Sequence, residues 1–401
     1  MLSVEEARKR ILDATRVLPP EKRRIMDCLG YVLAEDVHAA EHIPPFRNSA
    51  MDGYAVVAED TQSASKDFPI QLSIVESIPA GYAPTESLAR GQAARIMTGA
   101  MMPNGADAVV MIEETQSEKN LVKVLDSVEK DENVRFAGES VKQGDLVMSR
   151  GKQIHPPEIS MLASLNLPTV EVHKRPIVAV ISTGDELTPL GGPLKPGKIR
   201  DSNRYGICAQ IQEANCFPID MGIATDDEVA LERKFRDAVG QADAVVTSGG
   251  VSVGDHDSVR AVLARMGEIN FWRVAMKPGK PQAYGFIDGV PIFGLPGNPV
   301  SSLVVFELFV RPALLKMAGH TDLLRPTFQA ILDDDVVNRD GRVNYLRTII
   351  TSHNGKFHAQ TTGPQGSGIL YSLVLANGFI IIPAGATINA GETVEAQLLK
   401  S

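Results

Sequence analysis

The residues able to do chemistry in this sequence gather in short loops. Residues 247–258, TSGGVSVGDHDS, follow the strand-like run 243–246 and combine glycines, hydroxyls and two carboxylates. The backbone of Ser248, Gly249, Gly250 and Ser252 suits a polyanion, because consecutive N–H groups in a glycine turn make an anion-binding concavity. Asp255 and Asp257 suit a metal ion instead. Three more loops share this character: STGDEL (182–187), TDD (225–227) and GLPGNPVSS (294–302). In the last, Asn298 can cap a helix, Pro299 suits its first position, and Ser301 and Ser302 fall in its first turn. A helix start with free N–H groups is a phosphate or oxyanion site. Taken singly, each loop is equally a well-capped turn. On one sheet edge, the four would place Glu186, Asp226, Asp255 and Asp257 around one crevice. Carboxylates beside an anion site repel each other unless a cation lies between them, and Mg²⁺, which takes oxygen ligands and bridges carboxylate to phosphate, is the expected ion. We read Asp227 and Asp255 as helix caps, and Glu186 and Asp257 as the functional acids and metal ligands. His256, a single histidine without a partner, is read as exposed. Positive charge comes from residues 271–285, where Arg273, Lys277 and Lys280 flank a turn stiffened by Pro278 and Pro281. Residues 44–56, PPFRNSAMDGYAV, read as a sharply turned, irregular segment of the kind that carries function at a domain edge. Its one strong acid is Asp52, which by composition alone is a turn residue.

The elements that must hold these loops are legible in outline. Residues 174–320 alternate strand-like and helix-like runs, which predicts a parallel α/β sheet with helices on both faces. Ligands of such sheets bind beyond the carboxyl ends of the strands. Residues 46–140 hold short β-like runs at 68–78, 93–99, 106–114 and 121–128, a small β-rich domain. Residues 321–401 are strand-like again and read as a small β-barrel or sandwich. Segments 1–45 and 141–173 form a helical and extended domain. Ser3 and Glu6 fit a capping box for an N-terminal helix ended by Pro19-Pro20. A second helix is expected near 21–29.

Bulk properties narrow the function. The chain has 401 residues and a net charge of −9, which argues against non-specific nucleic-acid binding. No apolar run reaches the roughly 18 residues of a membrane span, and the charged, amphipathic start is not a signal peptide. A soluble cytoplasmic protein without membrane partners is expected. Cys28, Cys208 and Cys216 show neither CxxC nor zinc spacing and read as buried small apolar side chains.

PPFRNSAMDGYAV, RIMTGAMMPNGADAVV, STGDEL, TSGGVSVGDHD, FWRVAMKPGKP and GLPGNPVSS, in this order, resemble the molybdopterin molybdenumtransferases. This is the MoeA family, which includes the E domains of gephyrin and the plant Cnx proteins. The resemblance runs over the whole chain, although SGGVS alone is shared with related molybdopterin-binding domains. It implies an enzyme of the last step of molybdenum cofactor synthesis. Adenylylated molybdopterin and molybdate are its substrates, Mg²⁺ its ion and AMP a product. It implies that 174–320 is the molybdopterin-binding domain and that 1–45 with 141–173 serves dimerisation. The implied homodimer is elongated, with Asp52 and Thr98 reaching a site completed by the partner subunit. Glu186, Asp226 and Asp257 match acids of the active crevice. Arg273 and Lys277 match its cations, and Pro296 and Pro299 shape its turn. Lys277, Lys280, Ser301, Arg347 and Ser367 resemble the molybdate-binding group of eukaryotic members. Two positions depart from the family pattern. Gly138-Glu139-Ser140 stands where many bacterial members have Gly-Glu-Asp, so an acid is absent at 140. Arg273 stands where Lys is common, which keeps charge but changes donor geometry. Two other readings are a molybdopterin adenylyltransferase, against which the long N-terminal half and the β tail argue, and a non-catalytic molybdopterin-binding scaffold or carrier.

Overall fold

The computed structural model describes residues 1–250 and 258–399. Ser252, Asp255, His256 and Asp257 therefore lie outside the described residues. The chain divides into two compact units: Met1–Ala34, Gly151–His155 and Val170–Ser401 in one, Glu35–Arg150 and Pro156–Thr169 in the other.

The larger unit is built on a six-stranded sheet. Its spatial order is Phe217–Ala224, Ile177–Thr183, Ala244–Ser248, Val290–Leu295, Pro281–Ile287 and Glu268–Arg273. The first four strands are parallel, and the last two run antiparallel to their neighbours. Alternate side chains of a strand serve opposite faces. Val178, Val180 and Val246 join a core with the helices Val4–Ala14 and Asn203–Glu213. Ala179, Ile181 and Val245 join another with the helices Glu228–Val239 and Ser258–Met266. Both faces are covered, which is why these strands are apolar throughout. Cys28 and Cys216 are buried and Cys208 half-buried. Burial pushes the Cys208 thiol up to about 11 and Cys216 to about 12, so neither is a nucleophile at neutral pH.

The N-terminal helix has the expected cap, the Glu6 N–H donating to Ser3 Oγ at 3.0 Å. It ends at Ala14, earlier than Pro19-Pro20 suggests, because Thr15 is extended and returns its hydroxyl to the Ile11 carbonyl. The helix expected near 21–29 is instead the strand Pro20–Arg24, paired with Thr169–His173, followed by the 3₁₀ turn Ile25–Asp27. Available strand pairing overrides a local helical reading here. Helices Pro299–Val305 and Arg311–Met317 are joined by a π-helical turn at Phe306–Val310. Pro312 lacks the N–H that a regular helix would direct at residue 308.

The C-terminal part is a closed five-stranded barrel of Val343–His353, Lys356–Thr361, Thr327–Leu332, Thr393–Leu398 and Gly378–Ile382, with the first and last strands also paired. Leu332, Ile350, Ala359, Ile380 and Val394 fill it. The short strand Met276–Lys277 pairs in parallel with Val343–His353 and so ties the two parts of the unit.

The smaller unit holds a second six-stranded sheet, which includes all four β-like runs read from the sequence. Its buried strand Gly53–Val56 falls within the segment expected to be irregular. Gly53 makes this possible, because a Cβ there would overlap the Val110 carbonyl oxygen of the adjoining strand.

Candidate active site

The four parallel strands end together: Ser182 is in register with Ser248, and Ser248 with Leu295. The loops that follow therefore share one edge. Gly249 and Gly250 have φ of 100° and 65°, in the left-handed region. A Cβ on Gly249 would lie 2.6 Å from the Thr183 carbonyl oxygen, and one on Gly250 would overlap Val259. The turn therefore needs both glycines. The Gly249 N–H is spent on the Leu295 carbonyl at 3.0 Å, which leaves Gly250 as the glycine with an uncommitted N–H among the described residues. Ser248 is buried, and its hydroxyl accepts from the Asn203 amide at 2.8 Å. Asn203 also donates to the Gly297 carbonyl at 2.7 Å, so one amide joins the loops after two strands. This tie spans 94 residues, so local sequence does not reveal it.

Glu186 and Asp226 lie on this edge, both exposed. The N–H of Asp185 donates to Asp226 Oδ2 at 3.4 Å, and that of Asp226 to Asp185 Oδ1 at 3.3 Å. The Glu186 carboxylate has no hydrogen-bond or ion-pair partner among the described residues and turns back over Gly184. Asp227 caps its helix, accepting from the Ala230 N–H at 2.8 Å. Asn298 occupies the cap position of the helix Pro299–Val305 without a side-chain cap bond, which corrects the sequence reading of its side chain. Pro299 is at the helix start and Pro296 is buried in the preceding turn.

A cavity of about 660 Å³ lies where the barrel meets the α/β part. Lys277, Lys280, Ser301, Arg347 and Ser367 all line it. Arg273, Pro296 and Pro299 do not; Arg273 is exposed at the end of its strand. Arg347 is fully buried. Its Nε donates to Ser372 Oγ at 3.0 Å and its Nη2 to the Gly366 carbonyl at 3.2 Å. Burial pulls its guanidinium down to about 10, still charged at neutral pH. Neither Arg347 nor Lys280 has a carboxylate partner among the described residues. The Ser367 carbonyl accepts from the Val300 N–H at 3.1 Å, which fixes the 362–368 loop to the helix that carries Ser301. Gln365 clamps the same loop, accepting from the Arg347 N–H and donating to its carbonyl. Arg342 and Asn344 also line the cavity, and sequence reasoning missed both.

In the smaller unit, Asp52 and Thr98 are bonded to each other. Asp52 Oδ1 accepts from the Thr98 N–H at 2.7 Å and from its hydroxyl at 2.9 Å. These bonds hold the carboxyl below the usual carboxylate range, so Asp52 is a fixed anion. Ser140 lines a cavity of about 560 Å³ with Glu139, Gly99 and Arg135. Arg135, also missed from the sequence, places a cation beside the position where the acid is absent.

Three family models match the chain in succession: the MoeA N-terminal region (domain I and II) over residues 2–166, a probable molybdopterin binding domain over 179–316, and the MoeA C-terminal region (domain IV) over 329–399. A molybdopterin molybdenumtransferase of Haemophilus influenzae is 38% identical, the match covering 98% of each chain. The chain belongs to the MoeA family. A second member, the molybdopterin molybdenumtransferase of a Nostoc species, is 40% identical over 91% of this chain and 85% of its own. The crystal structure of the MoeA protein of Pyrococcus horikoshii superposes with a TM-score of 0.85 at 33% identity, covering 99% of this chain and all of that one. In MoeA terms, the four loops lie in the matched molybdopterin-binding region. The cavity draws Lys277, Lys280 and Ser301 from that region and Arg342, Arg347 and Ser367 from domain IV.

Proposed function

We propose that this protein transfers molybdenum from molybdate to adenylylated molybdopterin and releases AMP, as a magnesium-dependent homodimer in the cytoplasm. The names of its full-length relatives support the transferase activity. One observation carries the oxyanion half of the reading: the cavity half-buries Lys280 and fully buries Arg347, and among the described residues neither has a carboxylate. A buried cation is costly without a counter-ion, and a tetrahedral dianion supplies one. Lys280, Arg347 and Ser301 hold molybdate in this reading. The Gly250 turn receives phosphate oxygens of the pterin substrate.

Mg²⁺ fits the acids of the sheet edge in donor chemistry. Among the described residues no group of three His, Cys, Asp or Glu side chains could hold a metal by itself. Mg²⁺, however, commonly takes one or two carboxylates and completes its shell with substrate phosphate and water. Glu186 and, outside the described residues, Asp257 would hold it, with Asp226 beside them on the same edge. Bound there, it would offset charge on the phosphoanhydride oxygens as AMP leaves. Glu186, without a competing partner among the described residues, is the acid freest to take part. Asp52, kept ionised by Thr98, would complete the site of a partner subunit. Among the described residues no helix is long and apolar enough to cross a membrane.

The test is AMP release from adenylylated molybdopterin by the purified protein with Mg²⁺, with and without molybdate. Molybdate-dependent release with active cofactor formed is the expected result. Tight pterin binding without AMP release would overturn the transferase reading in favour of a carrier.

A further inference from the structure

Two of the cavity's cations already hold an anion from outside its lining. Lys277 Nζ lies 2.7 Å from Asp340 Oδ2, and Asp340 Oδ1 accepts from Arg342 at 3.1 Å. Of the four cations lining the cavity, two thus share one carboxylate, while Lys280 and Arg347 have none. Asp335, the acid in the lining itself, accepts from the Ala390 N–H at 2.8 Å.

Asp340 is not a chance surface partner. Its N–H donates to Asn338 Oδ1 at 3.0 Å and its carbonyl accepts from the Gly385 N–H. Asn338 is buried and makes further bonds to Asn344, the Arg342 carbonyl and the Pro383 carbonyl. The turn is thus built to present this carboxylate to Lys277. The Lys277–Asp340 pair itself is half-exposed, with side chains 49% and 32% accessible. Pairs of that kind are weak and exchangeable.

We propose that Asp340 is a positioning residue that tempers oxyanion binding by competing for the Lys277 ammonium. An entering dianion must draw Lys277 from Asp340. On leaving, it is replaced by the carboxylate already in place, so Lys277 is never left without a partner. The oxyanion is therefore held loosely enough to be passed on, since binding that is too tight before the reaction adds nothing to turnover. This inference rests on the reading of the cavity as an oxyanion site.

Titration calorimetry of the full-length protein with sodium molybdate tests it, using wild type, Asp340→Asn, Lys277→Met and the double variant. Asp340→Asn should lower Kd by roughly two- to fivefold, as expected for freeing one exposed ion pair. In the Lys277→Met background the same change should alter Kd by less than about twofold, because Lys277 is gone and only the longer Arg342 contact at 3.1 Å remains to be freed. Asp340→Ser repeats the prediction should the Asn variant fold poorly. Unchanged or weaker binding by the Asp340 variants would overturn the proposal, as would a tightening that survives Lys277→Met. A wild-type protein that takes up no molybdate would remove the oxyanion reading and this inference together. A wild type that binds, with Asp340 variants that do not tighten, would remove this inference alone.

Discussion

Lys280 and Arg347 line one cavity but do different work. Arg347 is enclosed and bonded to Ser372 and to the backbone of Gly366, so it also holds the loop that carries Ser367. Removing it would orphan those acceptors as well as the charge, and binding loss would be mixed with loss of structure. Lys280 makes no side-chain bond among the described residues, so its substitution isolates the charge. Lys280→Gln should weaken molybdate binding by about 10- to 100-fold, the usual range for one charge-assisted hydrogen bond. Its melting temperature should stay within about 2 °C of wild type, since the change leaves no buried group unpaired. Calorimetry and a thermal melt together check this. Undiminished molybdate affinity would place the anion elsewhere.

At the scale of elements, the same glycine chemistry that shapes loops also decides a strand. Gly53 lets Gly53–Val56 approach Ala108–Met111 too closely for any Cβ. Gly53→Ala should cost about 2–4 kcal/mol, a backbone clash in a buried sheet that cannot relax by turning a side chain. Scanning calorimetry should show an earlier transition, while molybdate affinity, set in the other unit, should not change. This strand also marks where sequence reading stops. Proline, serine and aspartate next to it signal turns, and four residues are too few for alternation to speak against them. The strands Ile177–Thr183 and Ala244–Ser248 were legible because they are β-branched and buried on both faces, without turn residues inside them. Pro20–Arg24 was not, since its polar sequence acquires strand form only from its pairing. Within the site, Lys277 and Lys280 were readable because they flank one Pro-Gly turn, and Ser301 because it falls in the first turn of a helix whose start the sequence signals. Arg342, Asn203 and Asp340 were not, because their roles come from partners 63 to 94 residues away or from a cavity wall that only the closed barrel creates.

For the whole molecule, the decisive issue is whether the acids of the two units act within one chain or across two. Asp52 lies in the smaller unit and Glu186 in the larger. In the proposed homodimer, Asp52 of one subunit serves the crevice that Glu186 helps to form in the other. Asp52→Asn and Glu186→Gln should then each abolish most turnover as pure homodimers. When the two variant chains are co-expressed, half of the dimers are mixed. In each mixed dimer one site carries both substitutions and the other carries neither. A two-fold symmetric dimer thus predicts recovery to about a quarter of wild-type AMP release from an equal mixture. If each chain completed its own site, every site would carry one substitution and no activity would return. Size-exclusion chromatography with light scattering would confirm that the mixed population is dimeric. The rate of AMP release from that fraction then separates the two arrangements without a ligand-bound structure.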